Sequence, residues 1–171
     1  MKRSDINPMP EYWDRYINLV PDVELSQAFQ DSIQQLDQLD RTALARVGDK
    51  TYAVGKWSVK DIIQHLTDAE RIMSYRALLF ARRSGMIPDG FDQDPFAANA
   101  LANRRSIDDL LDELLIARRS TRDLYDSFDH DMLTARGVCW KYEVSVLDLG
   151  FAILGHQIHH LNVLAERYSA I

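Results

Sequence analysis

Three of the five histidines in this chain lie within five positions near its C-terminus, at His156, His159 and His160. His156 and His160 are four residues apart. In a helix with 3.6 residues per turn, these two side chains project about 40° from each other, one turn apart on the same face. Two imidazoles placed in this way can bind one metal ion. The spacing therefore predicts part of a metal site.

A pair of histidines is an incomplete metal site, so a further ligand must come from another part of the chain. His65 is the strongest candidate, because it lies in a segment with helical apolar spacing. His130 lies in a connection and reaches the site only if that loop folds over it. His159 could replace His160, although His160 follows the apolar stripe of its helix more closely. The competing interpretation is that these histidines are neutral packing residues with hydrogen-bond partners.

Long segments with helical periodicity carry these histidines. The first runs from Val23 to Leu44. The second begins after Ser58, which has Asp61 three residues later in the arrangement of a capping box. The last begins after Ser145 and has Asp148 in the equivalent position. The predicted long helices are 23–44, 59–80, 106–128 and 145–168.

The connections between these segments complete the predicted architecture. A short helix is expected from Pro95 to Asn103, between the second and third long helices. The stretch from Asp129 to Glu143 has no sustained period and is interpreted as a connection with room for one short strand or turn. The pattern predicts an all-α fold, a four-helix bundle with a short extra helix between helices 2 and 3. We expect a single domain over residues 1–171, with an N-terminal extension at 1–21.

Composition and charge argue against several classes of protein. Hydrophobic residues make up 46% of the chain and charged residues 27%, as in an average globular protein. The formal net charge of −6 has the wrong sign for binding a phosphate backbone. No stretch approaches the roughly 18 apolar residues of a membrane span, and the first residues lack the apolar run of a secretory signal. The single cysteine, Cys139, rules out an intrachain disulfide. We expect a cytoplasmic protein that binds neither nucleic acid nor membrane.

Two separated stretches of this sequence resemble a known family. The first is Gly55–Arg71, with the sequence GKWSVKDIIQHLTDAER, and the second is Gly155–Leu161, with the sequence GHQIHHL. The shorter stretches Tyr75–Leu78 and Gly90–Asp92 are similar to the same family. Together they resemble the DinB/YfiT-like superfamily of metal-dependent enzymes, from about residue 23 to residue 168.

The resemblance implies a four-helix bundle that holds a divalent metal ion with one histidine of the second helix and two of the last. Carried over by position, the ligands are His65, His156 and His160, the same three residues that the spacing favours. Family members are often dimers, and their metal is commonly zinc or nickel. The resemblance therefore implies zinc or nickel as the cofactor and a homodimer as the assembly.

Three neutral imidazoles leave at least one coordination position open, as in catalytic rather than structural zinc sites. Cys139 would close that position if its loop brought the thiol to the metal. A metal ion with an open position lowers the pKa of a bound water or thiol. We therefore predict a metal-dependent hydrolase, or a transferase for a low-molecular-weight thiol, acting on a small molecule. The alternatives are a non-catalytic metal-binding scaffold of the stress response and a metal-free helical interaction module.

Three further polar residues belong to the same predicted helix as His65. Asp68 could orient a ligand imidazole, although a solvated surface acid is the more common outcome. Glu70 points almost opposite to His65. Arg76 lies about 20° from the face of His65 but about 16 Å further along the axis. It could bind an anionic group of a substrate only if the pocket runs lengthwise, and a salt bridge within the bundle is the simpler expectation.

Overall fold

The computed structural model describes residues 1–168. Four long helices dominate this part of the chain, with short helices and one hairpin between them. In chain order the elements are α1 (Asp14–Ile17), α2 (Leu25–Asp37), α3 (Arg41–Val47), α4 (Val59–Ala81), α5 (Gln93–Ala100), α6 (Ile107–Asp126), α7 (His130–Leu133), β1 (Arg136–Cys139), β2 (Tyr142–Ser145) and α8 (Val146–Arg167). The long helices α2, α4, α6 and α8 form a bundle in which α2 and α4 each pack against both α6 and α8.

The predicted four-helix bundle is confirmed, and so are the starts of three of its helices. Ser58 caps α4, and its hydroxyl accepts a hydrogen bond from the Asp61 backbone N–H while the Asp61 carboxylate accepts from the Ser58 N–H. Ser145 and Asp148 form the same capping box at the start of α8. Ser106 caps α6. The short helix between α4 and α6 is also present, as α5.

The prediction of one helix from residue 23 to residue 44 was wrong, because the chain breaks between α2 and α3. The side chain of Asp40 accepts a hydrogen bond from the backbone N–H of Ala43 and so begins a new helix. An acceptor of this kind competes with helix continuation, which an apolar period does not reveal. The connection at 129–143 is also more structured than expected. It contains α7 and an antiparallel hairpin that pairs Arg136 with Ser145.

The N-terminal residues pack directly onto α8. Ile17 and Val20 are buried in the core. At Gly155 the backbone of α1 comes so close that an added Cβ would lie 1.9 Å from the carbonyl oxygen of Tyr16. Glycine is therefore required at this position by the close approach of the two backbones, and the stretch 1–21 contributes to the surroundings of α8.

Within residues 1–168, no helix is both long and apolar enough to cross a lipid bilayer.

Candidate metal centre

Three histidine side chains from two helices converge inside the bundle. The Nε2 atom of His156 lies 3.1 Å from the Nε2 atom of His65 and 3.1 Å from the Nε2 atom of His160. One ligand atom from each ring can be chosen so that all of them lie within 4.8 Å of one another. His65 comes from the N-terminal half of α4, and the other two come from adjacent turns of α8. The two helices pack against each other, so the bundle itself brings the rings together.

Burial controls the charge of these three rings. His65 and His156 are buried and His160 is half-buried. Burial lowers the pKa of His65 to about 4. Burial, together with the neighbouring rings of His65 and His159, lowers the pKa of His160 to about 3. Burial and the adjacent histidines also hold the pKa of His156 well below its usual value. Near neutral pH the rings are therefore uncharged, which is the form that binds metal.

The distances between the rings fit a divalent metal ion. Zinc binds imidazole nitrogen at about 2.0–2.1 Å, so two nitrogens of a tetrahedral site lie roughly 3.3 Å apart. Both Nε2–Nε2 distances, 3.1 Å, are close to that separation. Three imidazoles suit zinc and nickel better than magnesium or calcium, which prefer oxygen ligands. The described residues add no carboxylate or thiol to this group.

The alternative ligands weighed from the sequence lie elsewhere in the structure. His159 is exposed and packs edge-on against Tyr16, with ring centroids 5.5 Å apart. His130 is exposed at the first position of α7. The Cys139 thiol is fully buried in β1 and accepts a hydrogen bond from Nη1 of Arg76 at 3.2 Å. The structure therefore groups His160 with the other two histidines and leaves Cys139 outside the cluster.

Asp68 and Glu70 have partners other than the histidines. The carboxylate of Asp68 accepts a hydrogen bond from Nε2 of Gln64 at 2.9 Å. The carboxylate of Glu70 accepts from Nε of Arg118 at 2.8 Å, and both of these side chains are only 1% exposed. The sequence-based placement of Glu70 away from His65 agrees with this pairing.

Aromatic side chains enclose the three histidines. The ring centroids of Trp57 and His65 are 4.6 Å apart. The Tyr16 ring packs edge-on against the His156 ring, with centroids 5.2 Å apart. The sequence did not predict the position of Tyr16, because the segment 1–21 has no helical period of useful length. The run of aromatic residues at positions 12, 13 and 16 is the signal that marks this segment as part of the core.

A cavity of about 770 Å³ extends from the histidines along α4. His65, His156 and Arg76 all contribute to its wall. Arg76 is eleven residues after His65 in one continuous helix, so the backbones of these two lining residues lie about 16 Å apart along α4. Ala69 and Met73 line the wall between them. The opposite side consists of the N-terminal segment, the loop before α5 and the tip of the hairpin.

The expectation of a salt bridge at Arg76 was wrong for the described residues. Arg76 is 5% exposed, and no carboxylate oxygen among residues 1–168 lies within 4.0 Å of its guanidinium nitrogens. Its partners are the Cys139 sulfur and the backbone carbonyl of Asp89, which accepts from Nη2 at 2.6 Å. The loop before α5 supplies that carbonyl, and its path could not be deduced from the sequence.

Comparisons with known proteins agree with this architecture. A family model described as the DinB superfamily matches residues 24–164. Among solved structures, the chain is similar to YfiT from Bacillus subtilis, described as a probable metal-dependent hydrolase with an unusual four-helix bundle topology. The TM-score is 0.69 at 15% sequence identity, over 94% of this chain and 87% of that one. No curated protein sequence matches the chain.

Proposed function

The chain belongs to the DinB superfamily, and we propose that it is a metal-dependent enzyme, a hydrolase of small molecules. His65, His156 and His160 are the proposed ligands of a divalent metal ion. The observation that carries the proposal is the convergence of their three Nε2 atoms beside a large cavity. A site that only stabilised the bundle would have no need of such a cavity.

When bound, the metal ion would lower the pKa of a coordinated water or thiol and so supply a nucleophile near neutral pH. The protein supplies the rest of the site. Burial keeps the imidazoles neutral, and the rings of Trp57 and Tyr16 pack against them and limit the access of water. Because His65 and His156 line the cavity, a small molecule held there would lie beside the histidines that would hold the metal ion.

Hydrolysis is the reaction we favour, and transfer of a low-molecular-weight thiol is its closest relative. The description of YfiT as a probable metal-dependent hydrolase supports the first. The second would use a thiol from the substrate, because Cys139 is buried and already bonded to Arg76. We propose zinc or nickel as the metal, since both accept three imidazole ligands. A cytoplasmic homodimer remains part of the proposal.

The experiment is an activity screen on protein reconstituted with zinc or nickel. Small amides and esters test hydrolysis, and a thiol offered with an electrophile tests transfer. We expect turnover that disappears on chelation and in His156→Ala but survives in His159→Gln, an exposed control one turn away. Turnover that persists in His156→Ala contradicts the proposal. A metal that stabilises the fold without turnover on any substrate supports the scaffold alternative instead.

A further inference from the structure

Arg76 is a buried positive charge without a negative partner in the described part of the chain. Removing a charged group from water costs several kcal/mol, and an arginine is rarely buried unless an opposite charge offsets that cost. Arg118, on the neighbouring helix α6, does so with Glu70 at 2.8 Å. Arg76, although 5% exposed, has only a sulfur and a backbone carbonyl as partners.

The guanidinium of Arg76 also has unused hydrogen-bonding capacity. The group carries five N–H donors in a rigid fork that matches an oxyanion. Nη1 donates to Cys139 and Nη2 donates to Asp89, but the buried Nε has no partner. Burial raises the pKa of the Cys139 thiol, so the sulfur stays uncharged near neutral pH and does not neutralise the arginine.

This unpaired charge lies on the wall of the same cavity as the histidines. Eleven residues of α4 separate Arg76 from His65, about 16 Å along the axis between their backbones. Both side chains lie close to one face of the helix. A molecule that reaches the metal site and Arg76 together must therefore be elongated.

Apolar and aromatic side chains make up part of the cavity wall. Met73 lines it from α4, and Tyr12 and Trp140 line it from the opposite side with their rings 5.7 Å apart. Tyr12 and Trp140 both have left-handed backbone angles, φ 72° and φ 61°. Side chains other than glycine adopt such angles at a cost, and residues of this kind cluster at ligand sites. The surrounding structure holds these two rings against the cavity.

Two other charged residues line the cavity, and both are exposed to solvent. The guanidinium of Arg15 lies 3.9 Å from the centroid of the Tyr12 ring. Asp92 caps α5, where its side chain accepts a hydrogen bond from the backbone N–H of Asp94. Arg15 and Asp92 have opposite charges, so the balance of charge inside the cavity comes from Arg76.

We propose that Arg76 binds an oxyanion of the substrate, a carboxylate or a phosphate, at the end of the cavity away from the histidines. The substrate class is then an elongated anionic molecule with an apolar body whose reacting bond lies at the far end from its charge. The statement that the bond near the histidines is the one that reacts depends on the metal-dependent function proposed above. The anion site itself depends only on Arg76 and the cavity.

The test measures binding by calorimetry, with and without zinc, so that it does not rely on catalysis. On metal-free protein the probes are phenylhexanoate, the phosphonate of the same length and the neutral phenylhexanamide. On zinc-loaded protein the probes are the monohydroxamate of suberic acid and its terminal amide, which place a metal-binding group and a charge at opposite ends. The carboxylate and phosphonate arms distinguish the two kinds of oxyanion.

We expect the better anionic probe to bind about tenfold more tightly than its amide, as for one charge-assisted hydrogen-bonded pair. Arg76→Gln should bind the anionic probe and its amide with about equal affinity, and its affinity for the amide should be that of the wild type. Arg76→Lys should keep part of the preference for the anionic probe. Arg82→Gln is the matched control, because Arg82 is an exposed arginine at the end of the same helix. Urea unfolding of each variant checks the fold.

The possible outcomes separate this inference from the proposed function. If the wild type shows no preference for an anion, or if the preference survives in Arg76→Gln, the proposed anion site at Arg76 is wrong even if the protein binds zinc. If the protein binds no zinc but prefers the anionic probe through Arg76, the anion site is confirmed and the proposed metal-dependent function is wrong.

Discussion

The protein has two centres of buried polar side chains, and they differ in whether those side chains have partners of opposite charge. The first, which we call the closed network, links α2, α4, α6 and α8. Arg118 donates to Glu70 and to the hydroxyl of Ser32, and Ser32 donates to Oε1 of Gln157 at 3.0 Å. Gln157 in turn donates to Oε1 of Gln35 at 2.9 Å. One buried oxygen of Glu70 has no hydrogen-bond partner, and no other side-chain atom of these five residues is both buried and unpartnered.

The second centre is the cavity with its three histidines and Arg76. Its histidines contact one another rather than a carboxylate, and its arginine lacks a negative partner among the described residues. The two centres are near neighbours in sequence, since Glu70 follows His65 by only five positions. Because these two positions lie on different faces of α4, the Glu70 side chain contacts Arg118 and the His65 side chain lines the cavity.

This contrast separates structural from functional polar groups in the bundle. Buried polar groups that satisfy one another stabilise the fold and need no ligand. Groups that stay buried, lack partners and face a cavity cost stability, so they indicate a bound ligand. Substitutions that change one centre at a time test this contrast.

The largest change in stability is expected from Glu70→Met. The substitution leaves Arg118 as an unpaired charge that is 1% exposed, so the free energy of unfolding should fall by about 3–5 kcal/mol. Urea denaturation measures this loss. The double variant Glu70→Met/Arg118→Met removes both charges and should recover most of it. A single variant as stable as the wild type would show that the closed network is not structural.

Acid should destabilise the metal-free protein through the histidines. Their pKa values are lower in the folded state than in the unfolded chain, where histidine titrates near 6.5, so the unfolded chain binds more protons as the pH falls. Stability is complete above about pH 6.5 and is lost as the pH falls towards 4. His65 alone accounts for roughly 2 kcal/mol between pH 7 and pH 5. Urea midpoints across this pH range measure the effect. The midpoint of His65→Phe should fall less steeply with decreasing pH than that of the wild type. Equal slopes would contradict the assignment.

A smaller effect is expected from Gly155→Ala, which disturbs the wall of the cavity. The new methyl would lie 1.9 Å from the Tyr16 carbonyl oxygen, so α1 must move away from α8. We expect a loss of about 1–3 kcal/mol and faster amide exchange in residues 1–21. Exchange detected by mass spectrometry locates the change. Unaltered exchange in this segment would mean that it does not depend on the contact at Gly155.

The smallest change is expected from Arg76→Met, although Arg76 is as deeply buried as many core residues. Its charge is unpaired, so an apolar side chain of similar length should keep the free energy of unfolding within about 1 kcal/mol of the wild type, or raise it. Thermal and urea unfolding beside Glu70→Met give the comparison. A loss as large as that of Glu70→Met would place Arg76 among the structural residues.

The sequence predicted the features that depend on local pattern. Ser58 and Ser145, each with an aspartate three residues later, located the starts of α4 and α8. The four-residue spacing of His156 and His160 located one face of α8. These predictions succeeded because capping and helical periodicity act over a few residues. Whether the three histidines bind metal stays a prediction.

The features that depend on distant contacts could not be predicted in this way. The approach of Tyr16 to Gly155 joins residues 139 positions apart, and no period in the segment 1–21 announces it. The partners of Arg76 come from a loop and a hairpin whose paths the sequence does not determine. The break at Asp40 was missed because apolar spacing continued across it, while the side chain began a new helix.

A zinc titration of chelated wild-type protein and its histidine variants, followed by calorimetry, tests the proposed metal site directly. We expect about one equivalent of zinc per chain for the wild type. Each of His65→Ala, His156→Ala and His160→Ala should lose about a hundredfold or more in affinity, since losing even a supporting hydrogen bond costs 10–100-fold. His159→Ala should bind zinc as the wild type does. A wild type that binds no zinc, or a His156→Ala variant with undiminished affinity, would contradict a metal site formed by the three histidines.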